Sequence, residues 1–285
     1  MLVDAHHHLW QVARADYGWL DSRVNPSIAS IERDYLVADY QSLATRHAIR
    51  ASVVVQAAPT VAETRWLLAQ ARASHGLIQG VVGWIDMAAA DAPQVLHDLA
   101  QDPLLKSIRP MLQDIAPDDW VLRPELAPAF DAIIEHDLAF DLLIRPPQLE
   151  AALTLLQRYP ELRAVVDHCA KPGIARQEWQ PWAEQILRIA SETTAHCKLS
   201  GLVTEAAVGW HAADLRSYME HVLQCFGAQR IMWGSDWPVM TLNATFDSWL
   251  DAALQFLAPC SAAEREAIMG DNAQRFYRLN ALGPS

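Results

Sequence analysis

Eight short apolar runs, rich in aliphatic and β-branched residues, recur along the chain. They are Leu2–His6, Ala51–Gln56, Ile78–Ile85, Ser107–Leu112, Ala139–Ile144, Arg163–His168, Ala195–Ser200 and Arg230–Ser235. Their length and β-branched content predict buried strands. The stretches between them carry apolar residues at helical spacing. In Thr60–Ser74, Val61, Trp66, Leu67 and Leu68 fall largely on one side, while Glu63, Arg65 and Arg72 supply polar positions. Thr60 followed by Glu63 predicts a capping box, and Gly76 follows the helix end. Asp214–Phe226 reads the same way and stops at Gly227, and Arg33–His47 is predicted as the first helix. Strand–helix alternation implies a parallel sheet with crossover helices. Eight repeats in 285 residues predict an α/β fold, a closed (β/α)8 TIM barrel spanning 1–285 as a single domain. An open doubly wound sheet is the competing architecture, but the first turn lacks GxGxxG.

Composition narrows the function classes. Hydrophobic residues make up 52%, enough for a large core, and the formal net charge is −12. No basic block of five or more residues occurs, which argues against nucleic acid and anionic membranes as partners. No apolar run approaches the roughly 18 residues of a membrane span. The N-terminus has no basic region leading into an apolar stretch, so no signal peptide is expected. The four cysteines are scattered without a CxxC pair, which points away from a disulfide framework and toward a reducing cytoplasm. Association into a homo-oligomer is compatible with the sequence. Eleven tryptophans are a high count for this length; most are expected to pack the core and loops, and a minority, Trp84 among them, to line a pocket.

The chemistry starts at "VDAHHHLW", residues 3–10. The run is shorter than an affinity tag and sits in an apolar strand context. Read as D-x-H-x-H on a strand, it points His6 and His8 to one face, with Asp4, and His7 to the other. Two imidazoles two residues apart on one face can reach one metal ion. In barrels of this kind the catalytic groups sit at the C-terminal ends of the strands. The other candidates fall on that rim: Gln56 and Trp84 end the second and third strands, Arg109 lies in the fourth, His168 ends the sixth and Asp236 follows the eighth. Gln113 and Lys171 lie close behind in the adjoining loops. Three histidines and a carboxylate make an N3O site for one divalent ion, zinc above all. Such an ion polarises a carbonyl or acidifies a bound water, and a neighbouring carboxylate moves the proton. That is the chemistry of hydrolysis at a carbonyl.

The ordered motifs "DAHHHLW", "DYGWL", "IRPMLQD", "DHCAKP", "KLSGLVTEA" and "WGSDWPV" resemble the amidohydrolase superfamily, in particular its amidohydrolase-2 branch of sugar-acid lactone hydrolases. The likeness runs from Asp4 to about Tyr277. It implies a (β/α)8 barrel with His6, His8, His168 and Asp236 around one metal site or its relic, with Asp236 as general base; members of the branch that work without a tightly bound ion make a metal not essential for turnover the alternative. It implies a sugar lactone as substrate, with His168 catalytic; Arg109, Gln56, Trp84, Gln113 and Lys171, by their places on the rim, are the candidate substrate contacts. The chain departs from the fuller superfamily pattern. It has no lysine placed as a bridge in the fourth strand and no histidine ending the fifth, "DLLIRPP", so a two-metal centre is not expected. The same branch holds metal-dependent decarboxylases of aromatic or muconate-type acids, which is the competing activity. A barrel that binds a small molecule without turnover is the non-enzymatic one, although a binder needs no general base.

Overall fold

The computed structural model describes residues 1–280; the last five residues of the expected domain lie outside it. One parallel sheet carries all eight expected strands in sequence order. They are β1 (Leu2–His7), β2 (Ile49–Val55), β3 (Ile78–Gly83), β4 (Leu105–Ile108), β5 (Ala139–Leu142), β6 (Arg163–Val166), β7 (His196–Leu199) and β8 (Ile231–Trp233). The ring closes just past β8. The Asp236 N–H donates to His6 O at 2.7 Å, and the His8 N–H to Trp237 O at 2.6 Å. The helices are α1 (Val37–Arg46), α2 (Val61–Ala73), α3 (Ala92–Ala100), α4 (Ala127–Glu135), α5 (Leu149–Arg158), α6 (Trp182–Glu192), a single turn α7 (Leu202–Glu205), α8 (Ala212–Phe226), α9 (Phe246–Leu257), α10 (Ala262–Glu266) and α11 (Asn272–Phe276). The architecture is the expected (β/α)8 barrel.

Small and β-branched side chains fill the barrel: Val3, Ala5, Val53, Val55, Val82, Val165 and Met232 form one cluster, which Phe276 and Tyr277 join from the C-terminal segment. A second, larger cluster packs the outer faces of the strands against the helices. Parallel strands covered on both faces have to be apolar throughout, and that is why the runs were legible.

Several boundaries differ from expectation. The first helix starts at Val37 rather than Arg33. Tyr35 instead pairs with Trp10 in an antiparallel bridge, and Asp39 Oδ2 accepts the Leu36 N–H at 2.9 Å to start the helix there. β4 stops at Ile108 rather than running to Leu112, since Pro110 has no N–H for a ladder. Half of the predicted capping box on α2 forms: Thr60 Oγ1 accepts the Glu63 N–H at 3.0 Å. The Glu63 carboxylate, fully buried, turns inward and accepts the backbone N–H groups of Ala57 and Ala58 at 2.7–3.1 Å. It pins the loop after β2, where Gln56 sits.

The face assignment of Asp4 is corrected. β1 carries a register shift between Asp4 and His7. Val3 and Ala5 point into the barrel, so Asp4 points out. The irregularity then switches the parity, and His6 rather than His7 faces inward. A bulge re-aims the side chains beyond it. Asp4 therefore faces outward with His7, under α1. It accepts Tyr40 Oη at 3.0 Å, Ser235 Oγ at 2.6 Å and the Ser235 N–H at 2.8 Å. Burial pushes its carboxyl up to about 6. Asp4 bonds no imidazole; it ties β1 to the segment after β8 and so closes the barrel beneath the site.

Candidate active site

The end of β1 aims two imidazoles at the barrel axis. His6 Nε2 and His8 Nε2 lie 3.2 Å apart. Asp236 Oδ1 lies 3.3 Å from His8 Nε2 and 3.8 Å from His6 Nε2. His168 closes the group, with Nε2 3.8 Å from the same carboxylate oxygen. All four side chains are buried. His7 is not among them. It stacks on Tyr40, ring centroids 3.6 Å apart, with Nε2 3.0 Å from Ser52 Oγ.

Local backbone brings the later two groups in. Asp236 sits at φ +58°, so the chain reverses directly after β8. After β6 four consecutive residues, His168, Cys169, Ala170 and Lys171, hold positive φ between 50° and 59°. Each costs roughly 1–2 kcal/mol for a non-glycine residue. The turn is held in place by the Trp182 indole N–H, which donates to Cys169 O at 2.7 Å, and by the Lys171 N–H, which donates to His168 O at 2.8 Å. His168 Nδ1 bonds Ser200 Oγ at 2.8 Å. Gly201, at φ +65°, lets the chain leaving β7 pass against that imidazole.

A layer of buried charge lies below the histidines. Lys198 Nζ contacts Asp141 Oδ2 at 2.5 Å, Asp167 Oδ1 at 3.0 Å and His6 Nδ1 at 3.1 Å. Ser107 Oγ and Tyr277 Oη also donate to Asp141, at 2.5 and 2.8 Å. Arg109 Nη1 donates to Asp167 Oδ2 at 3.1 Å and lies 3.4 Å from His6 Nε2. Its Nε and Nη2 donate to Gln56 Oε1 at 3.0 and 2.7 Å. Two cations thus face two carboxylates in the barrel centre, which compensates the cost of burying them.

These surroundings set the protonation of the site. Burial drives His6 well below the usual imidazole range, and nearby Lys198 pushes the same way. Burial likewise lowers His168 to about 4 despite the carboxylates beside it. Burial would raise Asp236, but His168, His8 and Lys171 outweigh it and hold the carboxyl below its ordinary value. At neutral pH the site therefore holds neutral His6 and His168 beside an ionised Asp236. Those are the forms a metal ligand needs and the form a general base needs.

The donor set fits one divalent cation. The His6–His8–Asp236 triangle has edges of 3.2, 3.3 and 3.8 Å. Ligands bonded to one tetrahedral zinc at about 2.1 Å stand roughly 3.4 Å apart. His8 Nδ1 donates to Val55 O at 2.8 Å, which leaves a lone pair on Nε2. His6 Nδ1 lies 3.5 Å from Asp167 Oδ1, a buried oxygen that Lys198 Nζ also approaches to 3.0 Å. A ligating Nε2 carries its proton on Nδ1, with Asp167 Oδ1 as the acceptor and Lys198 Nζ, 3.1 Å from Nδ1, turned to its two carboxylates.

The structure brings together His6, His8, His168, Asp236 and Arg109, and Gln56 joins them through Arg109. Lys171 lies beside the group, its charge acting on Asp236. Trp84 and Gln113 stand at the same end of the barrel but make their hydrogen bonds locally, Trp84 with Thr64 and Gln113 with Asp114. Sequence reasoning passed over Lys198, Asp141 and Asp167 below the site, Ser200 against His168, and Arg145 and Glu205 on the rim. Lys198 and Asp141 carried a signal: a charged residue inside an otherwise apolar strand of a two-sided parallel sheet has no solvent to face. Glu205 had no periodicity to mark it, although it lies in the motif "KLSGLVTEA" together with Lys198 and Ser200.

The chain belongs to the amidohydrolase family, whose model matches residues 3–279. It is 42% identical to an L-fucono-1,5-lactonase of Burkholderia ambifaria, over 98% of this chain and 96% of that one. A second L-fucono-1,5-lactonase, from Burkholderia multivorans, is 33% identical over 97% and 96% of the two chains. The fold superposes on a crystal structure of a Burkholderia multivorans amidohydrolase with bound zinc, with a TM-score of 0.89, 33% identity and 98% and 100% of the two chains covered.

Proposed function

We propose that this protein hydrolyses a six-membered sugar-acid lactone of the L-fuconate type, with Asp236 as the general base. The observation that carries the mechanism is the ionised, buried Asp236 carboxylate set among three imidazoles. Lactone hydrolysis rather than decarboxylation is favoured by the two full-length lactonase relatives.

In this reading the lactone lies over the rim with its carbonyl toward His6, His8 and His168. Asp236 Oδ1 takes a proton from a water as that water attacks the carbonyl carbon. With its Nδ1 accepting from Ser200 Oγ, His168 carries its proton on Nε2 and donates it to the developing oxyanion, and the Arg109 guanidinium below adds positive potential where donors in a dry site count most. Protonated Asp236 then returns its proton to the ring oxygen as the C–O bond breaks, giving the open hydroxy acid. Gln56 holds Arg109 in place rather than reaching the substrate, and Lys171, Trp84 and Gln113 form the wall. His6, His8 and Asp236, with His168 beside them, would hold a zinc ion, which when bound supplies Lewis-acid polarisation of the carbonyl and a more acidic water. Four unpaired cysteines suit a reducing cytoplasm. Among the described residues no helix is long and apolar enough to cross a membrane.

The test is a pH-indicator assay against a panel of five- and six-membered aldonolactones, run with and without chelator. Rapid opening of one stereochemical series supports the reading. A silent panel with metal restored, together with carbon dioxide release from an aromatic acid, would overturn it in favour of decarboxylation.

A further inference from the structure

Three charged side chains on the rim are unaccounted for by the hydrolytic step. Arg145 follows β5, Lys171 follows β6 and Glu205 ends α7 after β7, so with Asp236 after β8 four successive strand ends contribute one arc of charge. Glu205 lies between the two cations. Its Oε1 is 4.0 Å from Lys171 Nζ, and its Oε2 is 3.8 Å from Arg145 Nη1. Both distances are ion-pair contacts too long for hydrogen bonds. No side-chain hydrogen bond engages any of the three among the described residues. Yet Glu205 and Lys171 are largely enclosed, with side-chain exposures of 18% and 15%. Polar groups this enclosed are normally satisfied, so Glu205 and Lys171, with the half-exposed Arg145 beside them, have hydrogen-bonding capacity that the fold does not use.

The backbone points the same way. The four-residue left-handed turn that presents His168 also carries Lys171 to this spot, at φ +50°. Strain held at one place by packing from Trp182 and Ser200 is a feature of functional sites. The arc also lies within electrostatic reach of the reacting carboxylate, since Asp236 and Lys171 act on each other and Asp236 acts on Glu205.

A carboxylate with two oxygens, flanked by two cations with free N–H groups, matches a vicinal diol. Each hydroxyl gives its proton to a carboxylate oxygen and accepts an N–H from the adjacent cation. We propose that Glu205, flanked by Lys171 and Arg145, is the residue that selects the lactone's hydroxyl pattern by accepting hydrogen bonds from two neighbouring ring hydroxyls. The assignment rests on the lactonase reading and deepens it. Glu205 fixes the orientation of the polyol face, and Asp236 acts on the carbonyl. Neutral hydroxyl donors are what such a pair of carboxylates admits.

The experiment compares two six-membered lactones, a polyhydroxylated one of the fuconate series and hydroxyl-free δ-valerolactone, on wild type and Glu205→Gln. The readout is the ratio of kcat/KM for the first to kcat/KM for the second. Loss of charge-assisted hydrogen bonds predicts that the ratio falls about 10- to 100-fold. Lys171→Met is expected to lower the same ratio, mainly through KM. A ratio unchanged in both variants overturns the assignment, whether because neither lactone is affected or because both fall together. Should Glu205→Gln not fold, Glu205→Asp carries the same test, because the shortened carboxylate no longer reaches both hydroxyls. A wild-type enzyme inert toward both lactones overturns the lactonase reading and this assignment with it.

Discussion

Gly201→Ala tests how the fold delivers His168. Gly201 sits at φ +65°, and an added Cβ would lie 2.5 Å from His168 Nδ1 and 2.6 Å from His168 Cγ. Nonbonded carbon contacts settle near roughly 3.5 Å, so the imidazole would have to move by about an ångström. That motion breaks the 2.8 Å bond from Nδ1 to Ser200 Oγ. The left-handed backbone costs alanine about 1–2 kcal/mol, and the lost hydrogen bond adds about 1 kcal/mol. For a chain of this size that sum lowers Tm by roughly 4–10 °C. The catalytic effect is separate. Nε2 of the same ring faces Asp236 Oδ1 at 3.8 Å, and misplacing a catalytic group by an ångström costs roughly 100-fold in rate. Thermal unfolding followed by circular dichroism gives the first number, and lactone hydrolysis at saturating substrate gives the second. A lowered Tm with kcat within twofold of wild type would refute the role given to His168. An unchanged Tm would refute the steric argument.

Three further outcomes follow from the same geometry. Asp236→Asn keeps the shape and removes the base, and is expected to lower kcat by about 10²–10⁴-fold; because the Asp236 carboxyl is held low, wild-type kcat/KM should stay flat on acidification to about pH 4, and a limb near neutrality would count against Asp236. His8→Asn removes one corner of the metal triangle, and with it two of its three edges, and should weaken zinc binding by about 100-fold in chelator competition; equal affinity would place the ion elsewhere. Glu63 has its carboxyl raised by burial from 4.5 to about 7. The folded state therefore holds the proton more tightly than the unfolded one, and roughly 3 kcal/mol of stability present below pH 4.5 is lost as pH rises through 7. Glu63→Gln should flatten that slope in denaturant titrations across pH 4.5–7, and an unaltered slope would show that Glu63 is not its source.

What the sequence disclosed and what it hid divide along physical lines. Strand identity was legible because a parallel sheet buried on both faces leaves no polar alternation to confuse it. The rim residues were legible because a barrel fixes which end of each strand is functional, so His6, His8, His168 and Asp236 could be grouped although up to 230 positions apart. Asp4 was misplaced because strict alternation assumes an unbroken ladder, and the irregularity in β1 that re-aims His6 depends on pairing with β2 rather than on any local residue. The reach of Arg109 was hidden for a related reason. Its place at the end of the fourth strand was readable, one residue past β4 as it proves, but its partners Gln56 and Asp167 follow β2 and β6, and only the closed barrel brings them within 3.1 Å. Glu63 shows the same limit in a helix. The spacing Thr60-x-x-Glu63 is that of a capping box, yet the carboxylate satisfies two buried N–H groups of the preceding loop instead. A buried donor without a partner costs more than an exposed cap gains, so the tertiary demand overrides the local signal.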